Sequence, residues 1–232
     1  MNKVNKCICE YLFNYPPSEK LFEELNQLGN VYLIGGVLRE YRDNGKILDI
    51  RDIDIIVDVI DEEKWNAILS EYTPTHNRFG GYKLICEKLV VDMWRIEESW
   101  AYREDVIRCS KSEYVSKLPQ TVFLNIDAII YDLKNDMWYD DIYKQAMKTR
   151  CLDIVLEKNP QLPLNIVRTF VLKEKYNMAL SERLMSTIKK EIRIIAQNEG
   201  DVIKYLNGIQ KHRYNRLILS EEKMKHFLEY LN

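Results

Sequence analysis

The sequence predicts an α+β protein, with a mixed sheet and flanking helices over residues 1–147 and an all-helical part over residues 148–232. Two observations carry this expectation. Short apolar runs bounded by turn residues alternate with helical patterns up to about residue 142, and beyond it only the helical period persists. The charge balance changes sign at nearly the same place. Of the chain's 34 Lys+Arg and 36 Asp+Glu, residues 148–232 hold 16 and 10, and the preceding part holds 18 and 26.

Taken in order, residues 18–28 (SEKLFEELNQL) place Leu21, Phe22, Leu25 and Leu28 on one helical face, with Ser18 as the expected N-cap. Residues 31–34 are a compact apolar strand, and a short helix begins at Val37 directly after Gly35-Gly36. Residues 50–58 form the next strand, after which Asp61-Glu62-Glu63 opens a helix. YKLICEKLVVDMWRI reads as two strands around Glu87-Lys88, and FLNIDAIIYDLKNDMWYDD as a hairpin turning at Asn135-Asp136. The remaining patterns, PLNIVRTFVLKEKY, SERLMSTIKKEIRIIAQN, DVIKYLNGIQKHRYNRL and EEKMKHFLEYL, are helical and separated by Asn, Gly or Ser.

Several function classes are excluded early. No run of 18 apolar residues occurs, so no membrane span is expected. The apolar part of the first twenty residues is broken by Glu10, Asn14 and two prolines and does not read as a secretory signal. Five cysteines, odd in number and scattered, lack metal-ligand spacing, which points to reduced thiols and a cytoplasmic location. His76, His212 and His226 are dispersed and support neither a metal site nor a triad, and Ser110 and Ser112 have no nucleophile-elbow context. A net charge of −2 is not that of a nucleic-acid binder as a whole, although the C-terminal part is basic. There Tyr205, Tyr214, Phe227 and Tyr230 alternate with Lys and Arg. That pattern serves either to stack single-stranded RNA or to build a core, and their helical spacing favours the core.

The chemistry concentrates in residues 31–58. Side chains two apart on a strand share a face, with Cα atoms roughly 7 Å apart. Asp52 and Asp54 therefore project together while Ile53, Ile55 and Val57 enter the core. Carboxylates held that close repel unless a cation joins them, and Mg²⁺ suits hard oxygen ligands. Gly35-Gly36, between a strand and a helix, lets backbone N–H groups approach a phosphate, and Arg39 one turn later supplies a guanidinium fork. Asp92, a charge in the apolar strand KLVVDMWRI, is the candidate third ligand of a two-ion phosphoryl-transfer site. An Asp-x-Asp alone is common on edge strands, and Gly-Gly is common in turns. The conjunction is what sharpens the reading.

In that conjunction, GGVLRE…RDIDIIVD resembles the tRNA nucleotidyltransferase/poly(A) polymerase family, within the DNA polymerase β-like nucleotidyltransferases. NRFGGYKL resembles the family's Phe-Gly segment. NIDAIIYDL is similar to its Thr-Ile-Asn-Ala-Leu-Ala-Tyr strand, with Asn125, Ile126, Asp127, Ala128 and Tyr131 in register. LPLNIVRTFVLKEKYNM resembles its neck helix. The resemblance spans about residues 28–180 and implies a nucleotidyltransferase head followed by a helical neck-like domain. It implies an enzyme that transfers a nucleoside monophosphate from ATP or CTP to an acceptor hydroxyl, with an RNA 3′ end as acceptor. Asp52, Asp54 and Asp92 would hold two Mg²⁺ ions, and Gly35, Gly36, Arg39 and Arg168 would bind the nucleotide. A small-molecule or protein acceptor, and nucleotide or RNA binding without catalysis, stay open beside it. Departures from the pattern are Glu40 in place of an Asp, Thr121-Val122-Phe123 in place of a pair of arginines, and Asn165 in place of the first neck arginine. They imply weak discrimination between CTP and ATP.

Overall fold

The computed structural model describes residues 3–48, 50, 52–77 and 79–231, with the side chain of Pro16 left aside. Arg51 and Arg78, which belong to the quoted motifs, lie outside the described residues. The chain divides into two compact units, Met1–Val122 with Asp127–Ile142, and Phe123–Ile126 with Tyr143–Asn232.

The first unit begins with α1 (Lys3–Leu12) and α2 (Pro16–Leu28), followed by β1 (Gly29–Ile34), α3 (Gly36–Asn44), β2 (Asp52–Val59) and α4 (Glu62–Tyr72). Then come β3 (Thr75–His76), β4 (Tyr82–Cys86), β5 (Leu89–Arg95), the short α5 (Trp100–Arg103) and α6 (Tyr114–Lys117), β6 (Ile130–Asp132) and β7 (Met137–Tyr139). The strands form one sheet in the order β3-β4-β5-β2-β1-β6-β7. The β2–β5 pair is parallel, and every other pair in that sheet is antiparallel.

Period-two alternation decides what each sheet face does. Val31, Leu33, Ile53, Ile55 and Val57 are fully buried. Leu21, Phe22, Leu25 and Leu28 of α2 are buried as expected, and α2 and α3 lie against β1 and β2. On the other face Tyr32, Ile56, Ile96, Tyr102, Leu118 and Ile130 form a second cluster, which covers that face alongside the row that carries the carboxylates. The α2 helix starts before Ser18, with two prolines in its first turn. Proline is tolerated there because its missing N–H has no intrahelical partner to lose. Ser18 is buried and turns its hydroxyl to the Tyr15 carbonyl at 2.8 Å instead of capping. Asp61 does cap α4, accepting from the Lys64 N–H at 3.1 Å.

The second unit holds most of α7 (Asp141–Thr149), then β8 (Cys151–Leu152), α8 (Leu162–Tyr176), β9 (Ala179–Leu180), α9 (Glu182–Glu199), α10 (Val202–Tyr214) and α11 (Glu221–Leu231). The four C-terminal helices match the sequence patterns, with Ser181 and Asp201 capping α9 and α10. The expectation that strands end near residue 142 is corrected by β8 and β9, which pair in parallel as a two-residue ribbon. Pieces that short carry no periodicity to read. Likewise FLNID is not strand: Asn125–Asp127 is a single 3-10 turn. Phe227 is buried and stacks on Phe170 with ring centroids 4.8 Å apart, in keeping with the core reading, whereas Tyr230 is half-exposed under the Lys173 ammonium. All five cysteines are free thiols, and no described helix is long and apolar enough to cross a membrane.

Candidate active site

Strand register builds the site. Ile34 pairs with Asp54, Asp54 with Asp92, and Asp92 with Lys83, giving one row across β1, β2, β5 and β4. Directly paired residues present their side chains on the same face. Asp52 stands two residues before Asp54 on that face, so three carboxylates converge. Asp52, Asp54 and Asp92 each offer an oxygen, and the three oxygens lie within 4.8 Å of one another. Asp52 and Asp54 are half-buried, and Asp92 is buried. Carboxylate oxygens in this number and at this spacing fit a hard divalent cation such as Mg²⁺.

The Gly35 turn lies at the end of the same row. Gly35 has φ +67 and ψ −118, a conformation that side-chain-bearing residues rarely adopt. A Cβ there would stand 3.9 Å from Asp54 Oδ2, which places the turn against the carboxylates. The Gly35 N–H donates to the Ile129 carbonyl at 3.2 Å, so it is committed to the sheet. The donors that can face a phosphate begin with Gly36, at the N-terminal end of α3. Arg39 Nη2 lies 4.0 Å from where a Gly36 Cβ would stand, while its Nη1 donates to Asp127 in a nearly buried ion pair. Arg39 is thus beside the glycines as expected, and it is anchored by an acid that stands where the resembled family carries Asn.

Two residues that the sequence reading did not single out complete the row. Lys83 Nζ reaches Asp92 Oδ2 at 2.8 Å, and Asn77 Nδ2 reaches Asp92 Oδ1 at 3.3 Å. Asn77 Oδ1 accepts the Phe79 and Gly81 N–H groups, each at 3.0 Å, which holds the NRFGG turn. A signal for Lys83 was present. The tight turn at Glu87-Lys88 pairs Cys86 with Leu89, and counting outward brings Lys83 opposite Asp92. Asn77 reaches Asp92 through the shape of a loop, which periodicity does not encode.

Arg168 lies half-buried on α8 in the second unit, between the buried Val167 and Thr169. Asn165 is buried on the same helix, and its Nδ2 donates to Asn159 Oδ1 at 2.8 Å. The Thr169 hydroxyl donates to the Asn165 carbonyl at 2.7 Å.

No known protein-family description matches the chain, and no curated protein matches it in sequence. Solved structures do match in fold. A structure described as a complex of CCA-adding enzyme with CTP aligns with a TM-score of 0.65 at 16% identity, over 98% of this chain and 54% of that one. A tRNA nucleotidyltransferase complexed with a primer tRNA and an incoming ATP analogue aligns at 0.57 and 19% identity, over 87% of this chain and 57% of that one. The Thermotoga maritima CCA-adding enzyme complexed with tRNA aligns at 0.57 and 16% identity, over 87% and 46%. The chain spans about half the length of these proteins. It therefore has the mixed-sheet head and helical neck fold seen in solved tRNA nucleotidyltransferase structures.

Proposed function

We propose that the protein is a Mg²⁺-dependent nucleotidyltransferase that moves a nucleoside monophosphate from ATP or CTP to an acceptor hydroxyl, an RNA 3′ end, with pyrophosphate leaving. The observation that carries this reading is the convergence of Asp52, Asp54 and Asp92 beside the Gly35 turn. A bound Mg²⁺ neutralises triphosphate charge and keeps positions open for phosphate oxygens. The chain's own groups hold and orient. Asp52 and Asp54 would hold the cation, with Asp92 beside them. Gly36 and the start of α3 offer N–H donors and a favourable dipole to an anion. Arg39, anchored by Asp127, adds a cation beside them. Residues 1–147 are proposed as the catalytic head and residues 148–232 as the neck-like, acceptor-facing part, from which Arg168 contacts the nucleotide. Catalysis of this kind works by positioning and charge neutralisation, without a covalent enzyme intermediate.

The experiment is incubation with each labelled NTP, Mg²⁺ and total RNA, followed by a gel, with Asp52→Asn as control. Label in RNA that the variant fails to transfer is the expected result. A small-molecule or protein acceptor is the second reading. It is favoured by Asn165, which is bonded to Asn159 where the resembled family carries a nucleotide-contacting arginine. Label on protein or small molecules would move the assignment there. Nucleotide binding without pyrophosphate release would overturn transferase activity altogether.

A further inference from the structure

Both oxygens of Asp92 are engaged by donors of this chain, one brought there by strand register and the other held by backbone N–H groups. Lys83 is the register partner of Asp92 on β4, and its ammonium lies 2.8 Å from Oδ2. The Asn77 amide cannot be turned around, because its oxygen accepts two backbone N–H groups and its nitrogen must then face Asp92 Oδ1. The Asp92 side chain is 9% exposed and that of Lys83 is 34% exposed, so the pair is sheltered from solvent screening on the acid's side. A buried carboxylate needs a compensating charge, and here an ammonium already supplies it.

We propose that Lys83 provides, from within the chain, the positive charge that a second divalent ion would bring to this centre. The site then loads one divalent ion, at Asp52 and Asp54, rather than the two expected from the sequence. This inference rests on the nucleotidyltransferase reading and deepens it. The local charge is consistent: three carboxylates and one ammonium sum to −2, which one divalent ion neutralises. A second ion would have to compete for the Asp92 oxygens that Lys83 and Asn77 occupy, and it would meet the Lys83 ammonium at contact range.

The test is the stoichiometry of Mn²⁺ bound to the full chain with a non-hydrolysable ATP analogue and no acceptor. It is counted by equilibrium dialysis and by electron paramagnetic resonance, which also reports coupling between neighbouring ions. The expected result is one uncoupled Mn²⁺ per wild-type chain, one in Lys83→Arg, and two coupled ions in Lys83→Met. A coupled pair in the wild type overturns the proposal, and this arm decides even if Lys83→Met does not fold. A single ion in folded Lys83→Met overturns it as well, because Lys83 would then not be the reason for the count. Absence of Mn²⁺ binding that depends on Asp54 would bring down the nucleotidyltransferase reading itself, which distinguishes the two failures.

Discussion

Arg39 and Asp127, 88 residues apart in sequence, form an ion pair whose side chains are only 14% and 10% exposed. With the Gly35–Ile129 backbone bond, this pair pins the start of α3 to the segment leading into β6. Removing one partner of a buried pair costs up to about 3–5 kcal/mol when burial is complete. Arg39→Ala is expected to lower unfolding stability by about 3 kcal/mol in a urea titration. Asp127→Asn, which keeps an acceptor on Arg39, is expected to lose about 1 kcal/mol.

Asp52→Asn and Asp54→Asn are expected to abolish NTP turnover at saturating Mg²⁺ while leaving the fold intact. Each removes one of several like charges held together, so the melting temperature is expected to stay level or rise. Near-wild-type turnover in either variant would contradict the cation assignment, and a collapsed circular dichroism spectrum would contradict the expectation of an intact fold.

Gly35→Ala tests the turn separately from the carboxylates. A Cβ there meets only Asp54 Oδ2, at 3.9 Å, so the penalty comes from backbone conformation and is about 1–3 kcal/mol. Turnover is expected to fall by a larger factor than stability implies, because the turn sets the approach to the first N–H groups of α3. Unchanged kcat and KM in a folded variant would remove the turn from the site.

Asp58, half-buried near the C-terminal end of β2, gives a pH prediction. Burial pushes its carboxyl pKa above the ordinary value, nearby Glu97 adds to the rise, and Lys111 opposes it. Folding then favours the protonated form. The stabilising contribution is present below the unfolded-state pKa and is lost as pH rises through the folded one. Asp58→Asn is therefore expected to melt above the wild type at pH 7, with the gap closing as pH falls below the carboxylate range. A gap that widens on acidification would reverse the sign.

Nucleotide choice is expected to be loose. Asn165 is buried and committed to Asn159, which leaves its amide unsuited to reading a base. CTP and ATP should show similar kcat/KM, and ordered addition of C, C and A to tRNA would contradict this directly. Arg168→Ala is expected to raise KM for NTP about ten- to a hundredfold, since a charge-assisted hydrogen bond contributes about 1.5–3 kcal/mol. An unchanged KM would confine Arg168 to a structural role on α8.

What the sequence revealed depended on how local the cause was. Asp52 and Asp54 share a face because of strand periodicity alone, and the four C-terminal helices follow from caps and spacing that lie within a few residues. Asp92 needed more, since it meets Asp54 only because β5 runs parallel beside β2, a pairing across 38 residues that no local pattern states. What the sequence does show is a lone carboxylate in the apolar strand KLVVDMWRI, which marks Asp92 as a candidate without stating its neighbour. Ser18 misled because a good capping residue two positions inside a proline-started turn looks the same in sequence. Lys83 does not stand out in the sequence, because a lysine on a strand is ordinarily a solvent-facing residue, and only its register with Asp92 gives it another meaning.

All four tryptophans of the chain, Trp65, Trp94, Trp100 and Trp138, fall in the first unit. Trp65 is buried, Trp138 lies under the Arg42 guanidinium, and the Trp94 indole occupies the space a side chain on Gly81 would need, beside the turn that presents Asn77 to Asp92. Intrinsic indole emission therefore reports on the sheet-bearing unit alone, while far-ultraviolet dichroism reports on the helices of both units. Because α1 to α4 also contribute to that dichroism, a far-ultraviolet transition that departs from the indole transition marks the helical unit unfolding separately, and Trp94 gives an optical handle on events at the acidic row.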